Sequence, residues 1–356
     1  MSGAPDASGS GPETGAEPAS APGWKSRLAA LERRLNRRTT SPSARRWLLI
    51  ISLVAFVAIA VTSYLSLPDD QTFNWWMAPV LILVCTPLTV LANAAEFKVM
   101  ATFSGRPFGW IASSRLTLIA TAANLLPLPG GIMIRTQALR AEGATYKRAL
   151  GANAIAGGAW VAVGAVATGA LILSYQGFGL IGTGAVLVGL LAMATVIYLM
   201  RRVHRHDYLP MFGALAAVEV ITVLVAAVRV FVSFAFLNLQ INPAQAVALT
   251  TPAILAAAIG IFPAGLGLRE LLAGAVALVV DLPVAQSVAA TAVDRVFSQI
   301  GLAVMSGLVL LIGGRKAFNT LPEEPPERLD ADAAGVEPLV AGADGEAGVE
   351  VPHHGL

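Results

Sequence analysis

The sequence predicts an all-α polytopic membrane protein, with about six full spans plus two opposed re-entrant helical hairpins that form inverted repeats. Three observations carry that expectation. Hydrophobic residues make up 56% of the 356 positions and charged residues 13%, with a mean hydropathy of +0.69. A soluble domain carries roughly 25% charged residues, so this chain has too few to solvate a surface. The apolar residues are gathered into long uncharged runs, and two further runs are broken by proline and glycine in one shared pattern.

Residues 1–46 form a leader. Its beginning, to Gly23, is Gly, Ala, Ser, Pro and Glu with little to bury, which predicts disorder. Trp24, Leu28, Leu31 and Leu35 then recur at helical spacing among Arg33, Arg34, Arg37 and Arg38. That segment reads either as a basic amphipathic helix on anionic lipid or as a solvated helix in a tail. The first apolar run starts too far along the chain for a secretory signal, so Trp47 is expected to open a permanent anchor.

The membrane domain is expected over 47–314. Runs 47–67, 75–95, 149–173 and 178–200 contain no Asp, Glu, Lys or Arg, and each is about long enough to cross ~30 Å of hydrocarbon. The run 211–239 carries Glu219 and Arg229, and 285–313 carries Asp294 and Arg295. Residues 315–356 form an acidic, Pro-rich tail. Lys and Arg gather in the leader, at Lys98, Arg106 and Arg115, at Arg201, Arg202 and Arg205, and at Arg315 and Lys316, whereas the loop with Asp69 and Asp70 has no base. This distribution predicts a cytoplasmic membrane protein with both termini cytoplasmic.

Two segments do not fit simple spans. Ile111–Leu126 breaks at Pro127-Leu128-Pro129-Gly130-Gly131, and Ala246–Phe262 breaks at Pro263-Ala264-Gly265 before Leu266–Val280. Proline and glycine at membrane depth are tolerated where the freed backbone is buried in protein or lines a polar cavity, so each break predicts a re-entrant hairpin. The first dips from the inside and the second from the outside. Both follow Pro-x-Gly-x-x-x-Arg, as Pro129, Gly131 and Arg135, then Pro263, Gly265 and Arg269. Inverted repeats of this layout place substrate near the midplane at broken-helix ends.

These residues also carry a likeness. The stretch Asn124-Leu-Leu-Pro127-Leu-Pro129-Gly130-Gly131, with Arg135, Leu139 and Gly143, resembles the first signature of a flippase-like membrane family related to the membrane half of bacterial lysylphosphatidylglycerol synthases. Phe262-Pro263-Ala-Gly265-Leu-Gly267-Leu-Arg269-Glu270, with Asp294-Arg295, resembles its second signature. The likeness covers roughly Leu48 to Gly314. It departs at Ile132-Met133, where the family often has an acid, and the soluble aminoacyl-transferring domain has no counterpart, so lysyl transfer is not carried over. The resemblance implies movement of a lipid across the bilayer, with the substrate left open; Asn124, Pro129, Gly130, Gly131, Pro263, Gly265 and Gly267 are candidate substrate-site residues.

Ionisable residues inside spans cost about 2.5–3.5 kcal/mol each on insertion scales and therefore tend to have a partner or a task. Arg135 and Arg269 stand at the start of the second arm of each hairpin, where helix N–H groups and a guanidinium suit a phosphate. They read equally as caps on neighbouring carbonyls or as snorkelling side chains. Arg229 and Asp294 are expected at a common depth of ~14 Å from the outer end, as an ion pair, with Arg295 and Glu270 completing a polar cluster. Glu219 is either a proton carrier or a carboxyl hydrogen-bonded to a neighbouring helix.

Three functions remain open on sequence: a translocase for an anionic or lipid-linked phosphate substrate, a membrane-embedded head-group transferase using Glu270, Asp294 or Glu219 as base, and a non-catalytic scaffold. No His-Glu-x-x-His, P-loop or nucleophile elbow is present, and the four histidines lie at 204, 206, 353 and 354, outside the spans. No cofactor or metal is expected. Membrane lipids are the expected partners, nucleic acid is not, and a homo-oligomer stays open.

Overall fold

The structure is a computed structural model that describes residues 42–124, 130–203, 208–259 and 265–313. Every regular element among them is helical. The leader before residue 42, the chain after residue 313, the 204–207 segment with Arg205 and the two sequence breaks at 125–129 and 260–264, with Pro127, Pro129 and Pro263, lie outside the described residues.

Helix α1 (Pro42–Leu65) starts on a proline, whose missing N–H costs nothing in a first turn. Its apolar part, Leu49–Leu65, is shorter than that of the longest helices. Helix α2 (Met77–Phe103) runs beyond the expected 75–95 and carries one irregular turn, a π-helical segment at Leu81–Cys85. Pro87 explains it: a proline within a helix removes one N–H donor and presses on the preceding turn. The Leu81 carbonyl accepts from both the Thr86 N–H and the Thr86 hydroxyl, the latter at 2.9 Å.

The first broken segment forms two helices, α3 (Trp110–Ala123) and α4 (Gly130–Ala141), which pack against each other. Helix α5 (Tyr146–Gln176) opens with Thr145 accepting from the Arg148 N–H at 3.3 Å and stops at Gly177, whose φ of 72° no ordinary residue adopts easily. Helix α6 (Leu180–Val203) lies close along α5 because the contact is glycine-lined. A Cβ on Gly169 would stand 2.7 Å from the Val186 nitrogen, and one on Gly189 2.7 Å from that of Val166. Its far side leaves Leu187, Leu190 and Leu191 exposed.

Helix α7 (Tyr208–Phe236) precedes the second broken segment, which is more divided than the sequence suggested. The expected single arm 246–262 is two short helices, α8 (Pro243–Ala248) and α9 (Thr251–Ile259). Asn242 caps α8 by accepting from the Gln245 N–H at 2.9 Å, and Pro252 opens α9, so each helix has its own start signal. Helix α10 (Leu268–Val279) forms the other arm and packs on α9, and α11 (Val284–Gly313) closes the described chain.

Among the described residues, five helices are long and apolar enough to cross a membrane: α2, α5, α6, α7 and α11. Two apolar cores hold the bundle together. One gathers Phe97, Met100, Leu139, Ala152, Met200 and Leu215, and the other Ala78, Phe234, Leu237, Ile241, Leu249 and Ala290. Along α2 they sit at opposite ends, and between them Thr86, Thr89 and Asn93 face a polar layer. The exposed Trp75 and Trp76 stand just before α2, and Trp75 meets Phe236 edge-on at 5.3 Å.

Candidate functional site: an arginine-lined cavity

Asp294 is the centre of the polar layer. It sits on α11 with 1% of its surface exposed. Arg229 of α7 grips it bidentately, Nε donating to Oδ1 at 3.0 Å and Nη2 to Oδ2 at 2.9 Å. Arg269 of α10 donates from Nη2 to Oδ2 at 2.7 Å. The sequence reading paired Arg229 with Asp294; the structure adds a second arginine to the same carboxylate. The remaining Arg229 donors reach Thr89 Oγ1 at 3.2 Å and Ser298 Oγ, and Ser298 in turn donates to the Asp294 carbonyl at 2.6 Å.

A second pair adjoins the first. Arg295 Nε stands 3.0 Å from Glu270 Oε1, with 6% and 0% of the two side chains exposed. The other Glu270 oxygen accepts from the Gly267 N–H at 2.9 Å, and Arg295 Nη2 donates to the Gly265 carbonyl at 3.4 Å. Gly265 and Gly267 take φ of 67° and 79°, the left-handed region open to glycine, which lets the backbone turn into α10. At the start of α10 Glu270 thus accepts from the Gly267 N–H, while Arg269 Nε is buried with no hydrogen-bond partner among the described residues.

Arg229, Arg269 and Arg295 face one cavity of about 150 Å³, completed by Thr86, Thr89 and Asn93 of α2, Thr121 of α3, and Ser298 and Gln299 of α11. It is far larger than a single water needs. Three guanidiniums against Asp294 and Glu270 leave the cavity one positive charge in excess, within walls of hydroxyls and amides interrupted by the apolar Val90 and Leu302. A guanidinium can hold two oxygens in a planar fork, and here Arg229 directs its fork at Asp294. The lining comes from α2 and α3 on one side and α7, α10 and α11 on the other, so both broken segments contribute.

Arg135 is elsewhere. It pairs with Glu96 of α2 at 3.0 Å, with 17% and 13% of the two side chains exposed. Asn124, Gly130 and Gly131 serve the α3–α4 junction. Asn124 Oδ1 accepts from the Gly131 N–H at 2.8 Å, and a Cβ on Gly130 would stand 2.4 Å from the Ala123 carbonyl oxygen. The Gly131 N–H is therefore engaged by Asn124. Gly130→Ala is expected to push the two arms apart and lower stability by about 1–3 kcal/mol, read as a drop in the unfolding midpoint of detergent-solubilised protein. An unchanged midpoint would show that the arms are not in contact there.

Sequence reasoning missed Glu96, Thr89 and Ser298. Glu96 stands one position beyond the uncharged run that was read as a span, so counting charges within runs skipped it. Ser298 had a legible signal, since it follows Asp294 by one helical turn and must share its face. Compared with known proteins, the chain matches no family model and no curated protein, so the flippase-like resemblance rests on its motifs alone.

Proposed function

We propose that this protein is a translocase that carries an anionic, phosphate-bearing lipid head group across a cytoplasmic membrane. In this reading six spans and two opposed re-entrant hairpins, α3–α4 and α8–α10, form inverted repeats, with both termini cytoplasmic. The single observation that carries it is the cavity faced by Arg229, Arg269 and Arg295 between the two broken segments. Such a place suits substrate because broken helices meet there and the excess positive charge favours an anion. Arg269 holds the phosphate oxygens with Arg295, while Asp294 and Glu270 keep the guanidiniums aimed.

The head-group transferase reading has less support. A general base needs a free carboxylate oxygen beside the substrate, whereas both Asp294 oxygens accept from arginines and Glu270 is shared between Arg295 and the Gly267 N–H. Glu219, whose oxygens are free among the described residues, does not line the cavity and lies about 15 Å along α7 from Arg229.

Reconstitution into liposomes with fluorescent phosphatidylglycerol and a membrane-impermeant quencher tests the proposal. The protein is expected to expose inner-leaflet label to the quencher at least tenfold faster than protein-free vesicles. A chemically altered lipid would favour the transferase, and unchanged kinetics with unaltered lipid would leave a scaffold.

A further inference from the structure

We propose that Glu219 is a proton-binding site and that one proton carried there accompanies each anionic head group; the coupling rests on the translocase reading above. Glu219 lies on α7 with none of its surface exposed, and neither carboxyl oxygen has a hydrogen-bond partner among the described residues. A buried carboxylate in that position is costly unless it is paired or neutralised.

The charges that act on Glu219 are Glu96 from α2 and Arg135 from α4. These two already pair with each other at 3.0 Å. The other helices packed on α7, namely α5, α6, α8 and α11, bring no further charged group to bear on it among the described residues. Arg229, on the same helix, lies about 15 Å further along and is engaged by Asp294. Two carboxyls therefore share one guanidinium, and the trio becomes neutral when a single proton joins it.

The arginine cavity has the opposite imbalance. Its three guanidiniums face two carboxylates and lack one negative charge. A proton balances the first cluster and a monoanionic head group the second. The same two helices carry both: α7 holds Glu219 and Arg229, and α2 holds Glu96 and, three positions earlier, the cavity-lining Asn93. A shift of either rigid helix changes both sites together. The proton adds to a Glu219 carboxylate oxygen from the acidic side and leaves on the alkaline side, and no other bond is made or broken. A proton and a monoanion move together without net charge.

The test uses the full-length protein in proteoliposomes containing labelled phosphatidylglycerol, with the membrane potential clamped by potassium and an ionophore. A one-unit pH difference is expected to drive label into the leaflet facing the alkaline side, toward about a tenfold asymmetry. A membrane potential alone is expected to drive none. Glu219→Gln is expected to lose the pH-driven asymmetry, and Glu219→Asp, which keeps the carboxyl, to retain it. Infrared spectroscopy gives an independent readout, a carboxylic-acid carbonyl band present in the wild type and missing from Glu219→Gln. A band that survives Glu219→Gln overturns the proton site. A wild type that moves lipid equally with and without the pH difference overturns the coupling while the translocase reading stands. A wild type that moves no lipid under any gradient overturns the translocase reading and the coupling together, even where the band is present.

Discussion

Asp294→Leu is expected to be the most damaging single substitution in the polar layer, lowering stability by about 3–5 kcal/mol and cutting folded yield in membranes accordingly. The reason is that one carboxylate serves two cations. Its removal strands Arg229 and Arg269 together, both at most 16% exposed. Arg229→Leu is expected to cost less, because Asp294 keeps Arg269 at 2.7 Å. The double substitution is expected to be milder than Asp294→Leu alone, since only Arg269 is then left without its carboxylate. The measurement is a double-mutant cycle on folded yield and detergent unfolding midpoint. Additive losses would show that Arg229 and Asp294 do not depend on each other.

Arg269→Ala is expected to lower lipid translocation at least tenfold while the protein remains folded. Folding survives because Asp294 retains both hydrogen bonds from Arg229. Transport fails because the cavity loses the positive charge that exceeds its carboxylates, and with it a planar fork for two phosphate oxygens. Arg269→Lys restores charge without the fork, so partial recovery is expected. Arg135→Ala belongs to a different cluster and is expected to have a smaller effect on anion binding. Normal transport by Arg269→Ala, or loss that tracks failed membrane insertion, would make Arg269 a structural cap and remove the phosphate site from the reading.

The helical class and the long apolar helices were legible because runs of uncharged apolar residues have few other uses. The Arg229–Asp294 pair was legible from depth alone, as was the company of Arg295 and Glu270, because few charges lie that far into apolar sequence. What remained hidden depended on packing. Nothing in the sequence says that Arg269 turns to Asp294 while the similarly placed Arg135 turns to Glu96. The capping role of Glu270 depends on Gly267 adopting a positive φ, and the Asn124 bond to the Gly131 N–H depends on how α3 meets α4. The split between α8 and α9 was concealed within an apolar stretch, where Asn242, Pro243 and Pro252 carried the signal that hydropathy averages away.

The pairing of Arg229 with Asp294 also sets an order of events during biosynthesis. The partners are 65 positions apart in the chain. At ribosomal speeds of about 5–20 residues per second, α7 waits on the order of 3–13 s before Asp294 is even made. During that interval Arg229 is held in place by the hydropathy of its own 29-residue helix, the highest among the five long apolar helices, without any countercharge from α11. Helix α11 is thus a late-arriving keystone, and nascent chains halted before it carry an arginine without its carboxylate partner.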